Sequence, residues 1–265
     1  MKLSIIIVNY QSYKHLLTCL ASINKFLYQD STLKNDFEVI LVNNDKVSLS
    51  LPIQYPFVNE KIINTGKNVG FGTANNLGTI MTQGDYLMFL NPDTVLTDCS
   101  LLQAVAYLES HDDVGVLGLG VIDNNRKSPQ NWSCGKKITW GNILFRNTIN
   151  KPWNKKSPQE VAWTTGTALI VRKYLFRKIN GFDKNFFMYF EDQDLCLRIK
   201  NLELNPKIIH YPESTLLHFN GKSWKNKARQ KKAYQDSQLY FFKKYNTFIG
   251  WLTLKIIYKL KSFFT

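Results

Sequence analysis

Leu3-Ser4-Ile5-Ile6-Ile7-Val8-Asn9-Tyr10 opens with a nearly unbroken apolar run, rich in β-branched residues, and closes on two polar ones. A strand with one wet face alternates polar and apolar residues. A continuous run belongs to a strand covered on both faces, as in parallel sheets. The run is too short for the apolar region of a signal peptide, and no small-residue cleavage site follows it. It is expected to be the first strand of a buried sheet, with Asn9 and Tyr10 at its carboxyl end.

Outward from that strand the pattern alternates. His15 to Leu27 sets Leu16, Leu17, Leu20, Ile23 and Leu27 at helical spacing. Residues 37–42 read as a second buried strand, and 68–81 open with glycines and continue as a helix. Residues 85–90 form a strand ended by Asn91-Pro92-Asp93, 101–108 a helix, and 114–121 a strand interrupted by glycines. Strand character resumes at 168–171, then a helix at 192–201, a strand from Ile208 and an aromatic-rich helix at 234–245. This order predicts an α/β fold: a single, mostly parallel, Rossmann-like sheet flanked by helices, with ligands at the carboxyl ends of its strands. Residues 124–159 are polar, basic and broken by Pro129, Pro152 and Pro158, with Trp132, Trp140 and Trp153 among them; they read as a loop insertion.

Composition narrows the class. With 265 residues, 44% of them apolar and 20% charged, the chain supports one large core. Disordered, collagenous and disulfide-scaffold proteins are excluded. Cys19, Cys99, Cys134 and Cys196 lie far apart with no CxxC pair, so neither zinc nor a disulfide framework is expected, and a reducing, cytoplasmic setting fits. The net charge of +14 calls for an anionic partner. Residues 222–265 hold eleven basic residues and one acid, Asp236, so the rest of the chain is nearly balanced. That distribution argues against a nucleic-acid-coated body. No run is long enough to span a membrane.

Four groups of residues could carry chemistry. The strand ends Val8-Asn9-Tyr10, Asn43-Asn44-Asp45 and Asn91-Pro92-Asp93 put short polar side chains where an open α/β sheet binds its ligand, although Asn and Asp also simply make turns. Asn68-Val69-Gly70-Phe71-Gly72 opens a helix as a phosphate-binding loop would, but Gly70 and Gly72 do not complete a dinucleotide fingerprint. Glu191, Asp192 and Asp194 follow the aromatic run 182–190, which suits a raised pKa and general-base work; helix N-capping is the alternative. His218-Phe219-Asn220-Gly221-Lys222-Ser223 offers partners for a diphosphate or its metal, or a structural histidine.

In this order the residues resemble the family 2 inverting glycosyltransferases of the GT-A fold, closest to the rhamnosyltransferase-like branch of bacterial surface polysaccharide synthesis. The carrying segments are 4–10, 68–78, 90–93, Trp163 to Ala168, Gly181-Phe182-Asp183, 190–198 and 218–223. They span nearly the whole globular part.

The resemblance implies a GT-A catalytic domain over residues 1–223, with a nucleotide-sugar half at 1–121, the insertion at 124–159 and an acceptor half at 160–223. A basic, helical extension follows at 224–265. The donor, dTDP- or UDP-linked, would be held by Val8, Asn9, Tyr10, Asn43, Asn68, Gly70, Asn91 and Asp93. Many relatives carry Asp at the position of Asn43; its amide carbonyl can still accept a pyrimidine N3–H. The family's Asp-x-Asp appears as Asn91-Pro92-Asp93, so Asp93 and His218 are the implied ligands of Mg²⁺ or Mn²⁺. Asp192 corresponds to the catalytic base, with Glu191 orienting the acceptor beside Trp163, Thr165 and Gly166. Rhamnose from dTDP-rhamnose is the first expectation for the sugar. The acceptor is expected to be a growing polysaccharide or a saccharide on a polyprenyl diphosphate. The basic extension, at 222–232 and 248–264, then suits an interfacial helix on anionic lipid, which makes the enzyme peripheral at the inner face of the cytoplasmic membrane. The competing expectation is a non-catalytic carbohydrate or lipid-carrier binding protein on the same fold, motivated by Asn43 and Asn91.

Overall fold

The computed structural model describes residues 2–28, 36–52, 55, 61–124, 127–130, 132–139, 156–219, 227–245 and 248–263. Trp140, Trp153 and the segment Asn220 to Ser223 lie outside the described residues, as does most of the insertion.

Strand β1 (Leu3–Asn9) is buried along its whole length. It pairs in parallel with β2 (Phe37–Asn43) on one side and β4 (Tyr86–Leu90) on the other. The alternation inside the apolar run is now visible. Ile5 and Ile7 pack into one core layer with Leu16 and Leu20 of helix α1 (Tyr13–Ile23), and with Ala104 and Leu108 of α3 (Ser100–Ser110). Ile6 and Val8 face the opposite layer, among Val42, Phe89, Phe182 and Leu195. With both faces covered, no position could be polar without cost, and hence the unbroken run.

β3 (Ile62–Asn64) extends the parallel set beyond β2. On the other flank the direction changes. β11 (Ala168–Arg172) is antiparallel to both β4 and β6 (Val114–Asp123). β12 (Lys207–His218) runs parallel to β6, with a bulge between Tyr211 and Thr215, and β5 (Thr94–Leu96) closes the edge antiparallel to β12. The order is β3-β2-β1-β4-β11-β6-β12-β5. β7 (Ser128–Pro129) and β9 (Gln159–Glu160) join off this path, while β8 (Cys134–Gly135) and β10 (Trp163–Thr164) pair separately. Sequence could not set the direction of β11, because a five-residue strand buried throughout reads the same either way.

The remaining helices are α2 (Phe71–Thr79), α4 (Lys173–Lys178), α5 (Glu191–Lys200), α6 (Lys227–Tyr245) and α7 (Phe248–Phe263). α1 gives way to a π-helical turn at Asn24–Tyr28, which absorbs the end of the expected 15–27 helix. α6 is seven residues longer at its start than the aromatic pattern shows, because Lys227 to Ala233 is polar and carries no apolar period. Phe241 and Phe242 of α6, with Leu254 of α7, build a third apolar cluster on Phe186 and Phe190, so the basic extension is packed against the sheet domain.

Candidate active site

The sheet order makes β2, β1 and β4 adjacent, so the three polar strand ends meet on one edge. Asn9 and Asn43 face each other in the β1–β2 register, and Asn9 Nδ2 donates to Asn43 Oδ1 at 3.0 Å. Asn9 Oδ1 accepts from Ser12 Oγ at 2.9 Å. Asn43 Nδ2 donates to the Val47 carbonyl at 2.7 Å and to Asn64 Oδ1 at 2.9 Å. Both amides are buried, so they brace the edge while their backbone shapes it. Val8 is buried in the core and Tyr10 half-buried at the rim.

Asn44, read from sequence only as part of a polar strand end, has a role of its own. Its Oδ1 accepts from the Val69 N–H at 2.9 Å, and its Nδ2 donates to Asn68 Oδ1 at 3.1 Å. It thereby staples the end of β2 to the glycine loop. The signal was present as the second of three consecutive polar residues at a strand end. Asn68 also accepts from the Gly70 N–H at 2.9 Å. Gly70 sits at φ +89°, where a Cβ would lie 2.5 Å from the Phe187 carbonyl oxygen, which accepts from the Phe71 N–H at 3.0 Å. Only glycine lets the start of α2 approach the 183–190 loop this closely.

Asn91 follows β4, and its N–H donates to the Thr167 carbonyl at 2.9 Å. Asp93 and His218, far apart in sequence, meet because β5 pairs with the end of β12. Asp93 Oδ1 lies 3.1 Å from His218 Nε2, and His218 Nδ1 faces the Gln130 side-chain amide, 2.9 Å from Nε2. Both residues of this pair are buried. Among the described residues no cluster of three or more metal-ligating side chains exists.

The acids stand at the other side of the same edge. Tyr189 and Phe190 hold φ of +73° and +67°, turning the chain so that α5 starts with Glu191-Asp192. The three acids have distinct surroundings. Asp194 is wholly buried and accepts from Arg198 Nε at 2.7 Å, Lys244 Nζ at 2.6 Å and the Tyr245 hydroxyl at 2.6 Å. Asp192 is half-buried; Oδ2 accepts from the Gly166 N–H at 3.0 Å and Oδ1 from the Gln193 N–H at 2.8 Å. Glu191 is buried, and its Oε2 has no hydrogen-bond partner among the described residues. Burial, joined by the charges of Asp192 and Asp194, pushes the Glu191 carboxyl well above the usual carboxylate range. Burial raises Asp192 too, against the backbone N–H groups that favour its ionised form. A carboxyl raised toward neutral pH and open to a substrate hydroxyl is suited to accept a proton.

Gly166 lies between the starts of α2 and α5: a Cβ there would be 3.1 Å from the Phe71 ring and 3.7 Å from Asp192 Cβ. Thr165 is buried beside it, its Oγ1 3.1 Å from Thr167 Oγ1. Trp163 is buried in the core layer, and its indole N–H donates to the Lys136 carbonyl at 3.1 Å, so it supports this segment from behind.

A sequence profile for Glycosyl transferase family 2 matches residues 4–180. The chain belongs to this family. It is 31% identical over 213 residues to the rhamnosyltransferase WbbL of Escherichia coli (strain K12), covering 74% of this chain and 78% of that one. It is 26% identical over 250 residues to the N-acetylglucosaminyl-diphospho-decaprenol L-rhamnosyltransferase of Mycobacterium tuberculosis (strain ATCC 25618 / H37Rv), covering 83% and 77%. Among solved structures, residues 1–349 of S. aureus TarS in complex with UDP superpose with a TM-score of 0.57 at 19% identity, covering 92% of this chain and 72% of that one. The longer TarS chain is covered over 37% of its length. The mannosyltransferase PcManGT of Pyrobaculum calidifontis, with GDP-Man and Mn²⁺, gives 0.59 at 15% identity, covering 92% and 63%. These structures share the GT-A fold with the chain. The protein is a glycosyltransferase that takes its sugar from a nucleotide sugar, and family membership displaces the expectation of a non-catalytic binding protein.

Proposed function

We propose that this glycosyltransferase moves rhamnose from dTDP-rhamnose onto a saccharide carried by a polyprenyl diphosphate, by single displacement with inversion. The names of the two rhamnosyltransferase relatives support the sugar, and the diphospho-decaprenol in the second name supports the carrier. The observation that carries the mechanism is the position of Asp192, held by the Gly166 N–H at the seam between the glycine loop and the acceptor segment. The Asp192 carboxylate removes the proton from the acceptor hydroxyl as that oxygen attacks the anomeric carbon, and the nucleoside diphosphate leaves from the opposite face. Glu191, whose carboxyl is held well above the usual carboxylate range by burial, orients the acceptor by hydrogen bonding.

Asp93 and His218 would hold the divalent cation. One carboxylate and one imidazole fit such an ion, and the imidazole tilts the set from Mg²⁺ toward Mn²⁺. When bound, the ion supplies neutralisation of the charge that develops on the leaving diphosphate.

The acceptor carrier places the enzyme at the inner face of the cytoplasmic membrane. No helix among the described residues is long and apolar enough to cross a membrane. What supports surface association is α7, which exposes Ile249, Leu252, Ile256 and Leu260 along one face with Lys255 and Lys259 beside them.

Thermal melting with dTDP-rhamnose and other nucleotide sugars, each with and without Mn²⁺, tests the donor. A ligand at a hundred times its Kd stabilises by about 2.7 kcal/mol. A selective, Mn²⁺-dependent rise with dTDP-rhamnose is expected. A larger rise with a different nucleotide sugar sinks the rhamnose assignment, and a rise indifferent to metal removes Asp93 and His218 as ligands.

A further inference from the structure

The 224–265 extension reaches the acidic turn of α5. Lys244 of α6 places its ammonium between two carboxylates, Asp183 Oδ2 at 2.8 Å and Asp194 Oδ1 at 2.6 Å. Tyr245 donates to the same Asp194 oxygen at 2.6 Å, and Tyr240 to Asp183 Oδ2 at 3.0 Å. Further along the helix, Ser237 Oγ donates to the Met188 carbonyl at 2.8 Å and Gln230 Nε2 to the Tyr189 hydroxyl at 2.8 Å. α6 therefore grips both ends of the strained loop that delivers Glu191 and Asp192, and it grips α5 one residue beyond Gln193. A surface lysine–carboxylate pair contributes little. This one differs, because Asp194 is fully buried and bonded on both oxygens.

We propose that Lys244 is a positioning residue for the transfer step: it fixes Asp194, and with it the turn of α5 that presents Glu191 and Asp192. The inference rests on the reading of that pair as the site of proton transfer. Its physical content is twofold. The bonds to Asp183 and Asp194 hold the turn against a backbone that disfavours it. The ammonium also offsets the Asp194 charge, which otherwise adds to the upward push on the Glu191 carboxyl. The groups facing the pair are Asp194 and Cys196 on α5 and Tyr189 on the preceding loop; Arg198, Lys244 and Tyr245 face Asp194. Burial opposes the Lys244 charge, and the two carboxylates overcome it, so the lysine stays protonated throughout the working range.

Lys244→Met keeps an unbranched side chain and removes the ammonium, which lies 5.8 Å from the centre of the Phe186 ring. Carboxyl ¹³C NMR titration of the substrate-free full chain reads the pair directly. The Glu191 midpoint is expected to rise by about one pH unit in Lys244→Met, since an opposing charge has been lost, and to return in Lys244→Arg. With dTDP-rhamnose and a synthetic N-acetylglucosaminyl-diphospho-lipid, kcat should fall by about tenfold while the donor KM holds. An unmoved Glu191 midpoint in a folded Lys244→Met, even with a lower Tm, overturns the proposal, because a purely structural lysine would change stability alone. If Lys244→Met does not fold, Tyr245→Phe removes one hydrogen bond to the same oxygen: an upward shift supports the proposal and no shift overturns it. The titration needs no substrate. It is thus independent of the donor assignment, whose failure would instead appear as wild-type protein that does not turn over dTDP-rhamnose.

Discussion

Asp192 and Glu191 are neighbours with different duties, and their variants should differ. Asp192→Asn keeps the hydrogen bond from Gly166 but cannot take a proton. Turnover is expected to fall by about 10²–10⁴-fold, with donor-induced stabilisation intact in thermal melting. Native turnover in a folded variant would remove Asp192 as the base. Glu191 gives a stability test with a definite sign. Its folded carboxyl lies above the unfolded value of 4.5, so its contribution is fully present below that pH and is lost as pH rises through the folded value. Glu191→Gln stays neutral throughout; its Tm should exceed wild type at pH 8 and converge with it near pH 4. A Tm gap that does not change with pH contradicts a Glu191 carboxyl raised by burial. Sequence grouped Glu191, Asp192 and Asp194 as one acidic patch, because nothing local distinguishes them. Beyond the bonds that Gln193 and Arg198 of their own helix supply, what separates them comes from elsewhere: Asp192 takes the Gly166 N–H between β10 and β11, and Asp194 takes Lys244 and Tyr245 of α6.

Elements hold the site through contacts that a single methyl group can break. Gly70→Ala forces a Cβ to within 2.5 Å of the Phe187 oxygen at a φ of +89°. A loss of roughly 1–3 kcal/mol is expected, with weaker nucleotide-sugar binding because the start of α2 must retreat; calorimetric titration of donor into the folded variant checks it. Arg172 is a contrasting case. At the end of β11 its guanidinium donates to the carbonyls of Leu108 at 2.6 Å, His111 at 2.9 Å and Val114 at 2.7 Å, so it caps α3 on the side away from the site. Arg172→Met should cost about 3 kcal/mol in denaturant unfolding and leave kcat nearly unchanged. A kcat loss without a stability loss would contradict this division. The cap was illegible in Ala168-Leu169-Ile170-Val171-Arg172, which announces a buried strand and nothing about where its last side chain goes.

Across the whole molecule, the excess positive charge lies on α6 and α7, and the two helices use it differently. α6 spends Lys244 on the body, whereas α7 leaves Ile249, Leu252, Ile256 and Leu260 exposed between lysines. Wild-type protein should co-sediment with phosphatidylglycerol vesicles and not with phosphatidylcholine, and should release as salt rises. Ile256→Gln with Leu260→Gln should weaken that binding and leave solution-phase turnover unchanged; undiminished binding of the variant to phosphatidylglycerol would discard the face. By itself the sequence determined the buried character of β1, β2 and β4, the polar strand ends and the acidic helix start, because burial on both faces and the preference of acids for a helix's first turn write local patterns. Only the tertiary structure decided the direction of β11, the meeting of Asp93 with His218, the staple made by Asn44 and the hold of Lys244 on Asp194. Those depend on contacts between residues far apart in the chain, and no local period records which distant side chain will fill a given space.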